Sequence, residues 1–221
     1  MADHDKAELL GAEGVRGACG GDWTFGLRAG EAAWIRDGRD SGMAWLDWLT
    51  GIEPPPAGEV RWKGVEWRRR GPGEAAAERG KIGCVFADGG LVANLDMDEN
   101  VWLPARFHRR EGAAEGIERW ARHFECWPLP QERLNAVPER MRRRVAWTRA
   151  FSCAPELLLL ERPLRGAAPE DRRLLLAAVA EARAGGAGVA WVDEELEAEA
   201  RAALEPAGLA VPEPRRGAKD G

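Results

Sequence analysis

Residues 34–51 read WIRDGRDSGMAWLDWLTG. An apolar strand end runs into a turn bearing Gly38 and Gly42, and the turn opens an apolar helix. This is the layout of a phosphate-binding loop, strand–G-x-x-x-x-G-K-[ST]–helix. There, backbone N–H groups and a lysine hold phosphates, and a hydroxyl holds Mg²⁺. Met43 stands in the lysine position and Ala44 in the hydroxyl position. His123 and Cys126 lie three apart, on one face if that segment is helical, but two ligands make a poor metal site. No metal is expected.

Elements that would position such a loop follow from the rest of the chain. Its 221 residues suffice for one large domain or a core with a subdomain. Hydrophobic content of 45% and charged content of 31% fit a globular, soluble chain. No apolar run approaches the ~18–20 residues of a membrane span. MADHDKAELL has no basic region followed by an apolar one, so secretion is not expected. A net charge of −5 argues against a nucleic-acid surface. Cys19, Cys84, Cys126 and Cys153 form no C-x-x-C pair and read as reduced thiols, which points to the cytoplasm.

Residues 23–36 read as two short strands around a turn at Ala29-Gly30. Residues 42–50 form a short helix ended by Gly51. "EVRW" and "VEW" suggest a hairpin after the proline run at 54–56. "RRRGPGEAAAERG" is a polar loop or short helix, and 81–87 is a buried strand. Residues 98–127 are mostly helical, with breaks near Pro104, Pro128 and Pro130. Residues 139–153 are a helix with a basic start. "ELLLL" (156–160) and "GVAWV" (188–192) are apolar strands of the kind buried in a parallel sheet. Between them, 169–184 is an amphipathic helix with Pro169 at its start. Residues 206–221 read as a mobile tail. Strands alternating with helices predict an α/β fold with a mainly parallel sheet.

The order of "GIEPPPAGEV", "IGCVF", "ENVWLP", "RRVAWTRAF", "PELLLLERP" and "GVAWV" resembles that of ABC-transporter ATPase domains over about 10–205. A narrower likeness is to lipid or lipoprotein trafficking branches, including those working with MCE-type proteins. The resemblance implies a P-loop NTPase-like core (1–93 and 145–205), an antiparallel β subdomain and an inserted helical subdomain (94–144). It also implies where the site residues fall. The loop is Asp37, Gly38, Asp40, Ser41, Gly42, Met43 and Ala44, with Asp37 at the first glycine. The stacking aromatic aligns near Cys19, and the glutamine with Ala87. The signature reads Val137, Pro138, Glu139, Arg140 and Met141. The Walker B pair reads Glu161 and Arg162, the D-loop aspartate is Ala168, and the switch histidine is Glu194.

Two acids in the loop would repel a polyanion by roughly 4 kcal/mol at ~4 Å and an effective dielectric of ~20. Arg162 cannot act as a carboxylate base. These substitutions predict no enzyme activity and no ATP or Mg cofactor. They suggest instead a pseudo-ATPase subunit at the inner face of a membrane. It would dock on a permease through residues 86–108 and pair as a homodimer or with an active ABC ATPase. Alternatives are a nucleotide-binding, non-hydrolysing half of a heterodimer and a soluble interaction protein. An ion pair of Arg162 with Asp37 or Asp40 is also expected.

Overall fold

A computed structural model describes residues 8–16, 22–37, 44–205 and 209–210. Two sheets share a core with a group of helices. The antiparallel sheet contains β1 (Glu8–Arg16), β2 (Trp23–Arg28), β4 (Ala57–Trp62) and β5 (Val65–Glu66), in the order β2-β1-β4-β5. The parallel sheet contains β3 (Ala32–Arg36), β6 (Ile82–Val85), β7 (Leu157–Glu161), β8 (Gly188–Asp193) and β9 (Leu209–Ala210), in the order β6-β7-β8-β3-β9. Leu157 to Leu160 are wholly buried, as a strand covered on both faces requires. The α/β reading and the separate antiparallel sheet are therefore correct.

The helices are α1 (Trp45–Leu49), α2 (Pro72–Arg79), α3 (Met97–Phe107), α4 (Ala113–His123), α5 (Glu139–Phe151), α6 (Pro169–Ala184) and α7 (Ala198–Leu204). One face of the parallel sheet meets the aromatic layer of α4 and α5, where Trp120, Phe124, Trp147 and Phe151 pack ring to ring. The other face meets α1 and the antiparallel sheet through Trp45, Trp48, Leu49 and Trp62. α5 sits close to its neighbours: a Cβ on Gly83 of β6 would run into the Ala150 carbonyl oxygen, and one on Gly116 of α4 into that of Ser152.

Two expectations are corrected. α3 does not break at Pro104, which lies inside it. An Asp96–Glu99 capping box fixes the start of α3, and Met97, Val101 and Ala105 are buried along it, which offsets the one lost backbone bond. The tail is not wholly free, because Leu209 and Ala210 pair in parallel with Ala32 and Ala33. β1, for which the sequence raised no expectation, is the strand between β2 and β4. Gly11 and Gly14 dilute its alternation in sequence.

Candidate functional site

β3, β7 and β8 lie side by side, and their C-terminal ends bring Asp37, Glu161, Arg162 and Asp193 to one edge of the parallel sheet. In open α/β sheets ligands bind beyond the carboxyl ends of the strands. The Asp37 N–H donates to the Asp193 carbonyl at 3.0 Å, and the Trp34 indole N–H donates to the same oxygen at 3.2 Å. The ends of β3 and β8 are thereby fixed together. Residues 38–43, with Gly38, Asp40, Ser41, Gly42 and Met43, lie outside the described residues, as does Cys19. Ala44 stands at the N-cap of α1 and supplies no side-chain cap.

Glu161 closes β7. Its Oε2 accepts the Ala87 N–H at 3.0 Å, so the two positions read from sequence as Walker B acid and glutamine site do meet. Arg162 follows with a φ of 43°, in the left-handed region that residues other than glycine seldom occupy. Its N–H donates to the Val192 carbonyl at 2.9 Å. The expected ion pair of Arg162 with Asp37 is not formed, and Asp40 is outside the described residues. The charge of Arg162 is felt at the Asp193 carboxyl. Arg162 leaves on β7 and Asp193 on its neighbour β8, whereas Asp37 is one strand farther away. Burial pushes the Asp193 carboxyl up; the Glu194 N–H and the charge of Arg162 oppose that. Glu194 is exposed, its N–H bonded to Asp193 Oδ1 at 2.8 Å.

The signature positions do not converge on this edge as side chains. Val137 is buried, Pro138 is the N-cap of α5, and Met141 is half-buried against the core. Glu139 pairs with Arg143 at 2.8 Å, and Arg140 with Asp171 at 2.8 Å. Ala168 is the N-cap of α6. His123 and Cys126 serve packing: His123 Nε2 is 2.9 Å from the Leu174 carbonyl, and Cys126 Sγ is 3.2 Å from Thr148 Oγ1.

Two further features bear on the site. The first is a groove of about 410 Å³ between the 86–92 loop, α3 and α5, in the 86–108 stretch read from sequence as a docking region, where Val92, Leu103 and Phe107 are exposed. Cys84 and Cys153 line it; burial pushes the Cys84 thiol up to about 12 and raises that of Cys153, so both stay protonated at neutral pH. The second is Arg149 of α5, which donates to the carbonyls of Gly90 (2.6 Å) and Gly89 (3.1 Å). Burial lowers the pKa of its guanidinium. Arg149→Met should cost about 1.5–3 kcal/mol, because two carbonyls lose a charged donor. Hydrogen exchange should quicken at 88–92 and stay unchanged in β7. Unchanged exchange in the loop would show that Arg149 does not hold it.

Residues 44–165 match the family model described as ABC transporter. The chain belongs to the ABC transporter family. A methionine import ATP-binding protein of Mesorhizobium japonicum is 33% identical to this ABC chain over 135 residues, covering 58% of it and 36% of the relative. The chain thus spans about a third of that relative's length. An uncharacterized ABC transporter ATP-binding protein of Methanocaldococcus jannaschii, MJ0796, is 32% identical over 146 residues, 62% of each protein. A dimeric post-hydrolysis structure of the MJ0796 cassette, bound to ADP and Pi, superposes with a TM-score of 0.76 at 19% identity, over 95% of this chain and 100% of that one. The fold is therefore that of an ABC ATPase.

These likenesses correct two expectations, those of no enzyme activity and no nucleotide cofactor. The relatives are ATP-binding proteins, and the solved neighbour holds the products of ATP hydrolysis. The physical reason is that phosphate is held in large part by backbone N–H groups at a strand-to-helix turn. Substituted side chains therefore do not decide nucleotide binding by themselves.

Proposed function

We propose that this ABC chain is the nucleotide-binding subunit of a transport system, that it works as a pair of cassettes, and that it docks on a membrane permease. The observation that carries the docking is the groove: Phe107 is 72% exposed beside Leu103 and Val92, on the 86–108 stretch. Groups so apolar are left open to water where a partner covers them. No helix among the described residues is long and apolar enough to cross a membrane.

In this reading the phosphates lie at the carboxyl edge of the sheet, beyond the end of β3 and before the start of α1. Glu161 fits the metal: it is a carboxylate at that edge, half-buried, with one oxygen taken by the Ala87 N–H. When bound, Mg²⁺ neutralises phosphate charge during phosphoryl transfer. Glu161 would hold it and, through Ala87, fix the loop that borders the groove. Ala87, Glu194 and residues 137–141 are then bordering positions without a polar side chain directed at nucleotide by sequence pattern.

Titrating the protein with Mg-ATP in a calorimeter tests the reading. Saturable binding, weakened at least tenfold by Glu161→Gln when Mg²⁺ is present but not when it is chelated, is the expected result. No heat up to millimolar Mg-ATP would overturn the nucleotide-binding part.

A further inference from the structure

α3 ends in a tight turn that carries arginine where glycine is usual. The Arg109 N–H donates to the Arg106 carbonyl at 3.3 Å, and the Arg110 N–H to the Ala105 carbonyl at 2.9 Å. This double closure needs one left-handed residue, which is commonly glycine because a Cβ is strained there. After α1 the same turn uses Gly51, at a φ of 65°. After α4 it uses Glu125, at a φ of 52°, and that side chain is engaged: its carboxylate reaches Arg144 at 3.0 Å. After α3 the residue is Arg109, at a φ of 50°. Backbone strain of this kind persists where the side chain has a use.

Charge also sets this turn apart. Arg106, Arg109 and Arg110 are exposed, and among the described residues none of them enters a salt bridge. Many exposed arginines elsewhere have a carboxylate: Arg68 and Arg69 have Glu66, Arg122 has Glu118 and Arg173 has Glu170. Glu111 follows the cluster in sequence and pairs with none of it. Arg110 donates to the Gly80 carbonyl at 2.8 Å, and Arg106 lies 5.8 Å over the Trp102 ring. Burial, and after it the charge of Arg110, lowers the His108 pKa, so the imidazole adds no cation at neutral pH. Three positive charges thus surround Phe107, which is 72% exposed, on a chain of net charge −5.

The three arginines stand beside the docking groove and do not line it. A single carboxylate on a partner is gripped best in a pocket. Cations spread over an open helix end suit a diffuse field of negative charge, such as a layer of acidic headgroups. An exposed phenylalanine among them suits the same surface, since apolar rings settle at the boundary of headgroups and acyl chains.

We infer that the end of α3 contacts an anionic lipid surface, with Arg106, Arg109 and Arg110 facing the headgroup phosphates and Phe107 at the border between lipid and groove. The inference rests on the docking reading for bringing this face to a membrane, but the contact itself requires no partner protein.

The test is co-sedimentation of the whole chain with protein-free vesicles of phosphatidylcholine, alone or with about one-third phosphatidylglycerol. Binding is expected to the anionic vesicles and not to the neutral ones. Raising salt from about 0.05 M to about 0.5 M should weaken it at least tenfold. Arg106→Ala/Arg109→Ala/Arg110→Ala should bind at least about tenfold more weakly. Arg106→Lys/Arg109→Lys/Arg110→Lys should stay within about twofold of wild type, because a diffuse field reads charge and not the planar fork. An Arg68→Ala/Arg69→Ala/Arg173→Ala control makes the same change in net charge elsewhere and should bind as wild type. Arg109→Gly relieves the left-handed strain, so it should raise the melting temperature by about 2–4 °C and still weaken vesicle binding, which a purely structural arginine would not do. No binding to anionic vesicles, or equal binding by wild type and the first triple variant, overturns the inference. Native-membrane binding that is lost in that variant, without vesicle binding by wild type, would assign the arginines to an acidic protein and overturn it as well. Val92→Asp, inside the groove, should weaken native-membrane binding and leave vesicle binding unchanged, so the docking reading and this one fail separately.

Discussion

Asp171→Asn is expected to lower the melting temperature by about 6–20 °C, the equivalent of about 3–5 kcal/mol. Asp171 opens α6 and is only 1% exposed. It accepts from Arg144 Nε at 2.8 Å and from Arg140 Nε at 2.8 Å, and so ties α6 to the first turns of α5. Arg144 is itself buried, and the other carboxylate within reach, Glu125 at 3.0 Å, is exposed. Removing the Asp171 charge leaves a buried guanidinium with a poorly placed counter-ion, the costly way of breaking such a pair. Arg140→Ala should cost under about 1 kcal/mol, because that side chain is 52% exposed and screened by water.

The same network carries a pH signature. Burial alone would raise the Asp171 carboxyl, but the hydrogen bonds from Arg140 and Arg144 outweigh it and hold the group below its usual value. A carboxyl lowered in the folded state contributes stability that is complete above its unfolded value of about 3.9. That contribution disappears as pH falls through the folded value. Acid denaturation of the wild type should therefore steepen below about pH 4. Asp171→Asn should lose this part of the acid dependence while being less stable at pH 7. Equal melting temperatures at pH 7 would show that the pair is not worth its burial.

Phe107→Asp is expected to detach the protein from membranes of its source cells, with at least roughly thirtyfold weaker association. This figure corresponds to the ~2 kcal/mol or more of a central interface aromatic. Phe107 is the last residue of α3 and is largely open to solvent, so the change should leave the stability within about ±0.5 kcal/mol of wild type. A carboxylate carried into an apolar groove must be desolvated without a partner, which is the source of the loss. The measurement is the fraction of tagged protein that sediments with membranes, before and after a salt wash. Exposed Ile52 lies outside the groove and serves as the control position, where Ile52→Asp should sediment as wild type. Equal sedimentation of Phe107→Asp and wild type would rule out docking through this groove.

The sequence alone determined the scaffold. The apolar runs 157–160 and 188–192 have no polar position to turn toward water, so they must lie between two covered faces. Pro169 and the Gly185-Gly186 pair bound a helix that needs no tertiary help to be seen. The family resemblance rested on these same segments and on their order. β1 escaped because its two glycines and the burial of both its faces over 9–12 blur the period-two pattern, and only pairing with β2 and β4 makes it a strand. Pro104 looked like a break because a local rule cannot weigh the burial of Val101 and Ala105 around it.

The site divided differently. Glu161 and Ala87 were each read as site positions through the resemblance, and the structure joins them by a hydrogen bond across 74 residues. Which carboxyl feels the charge of Arg162 was not legible. Strand order decides it, since β8 rather than β3 lies next to β7, and strand order depends on long-range pairing. The same holds for the arginines at the end of α3. In the chain 106–110 reads as an ordinary basic stretch, like 68–70. Only the tertiary structure shows that Glu66 reaches Arg68 and Arg69 while Glu111, equally near in sequence, reaches none of its arginines, because electrostatic surplus is a property of distances that no local pattern encodes.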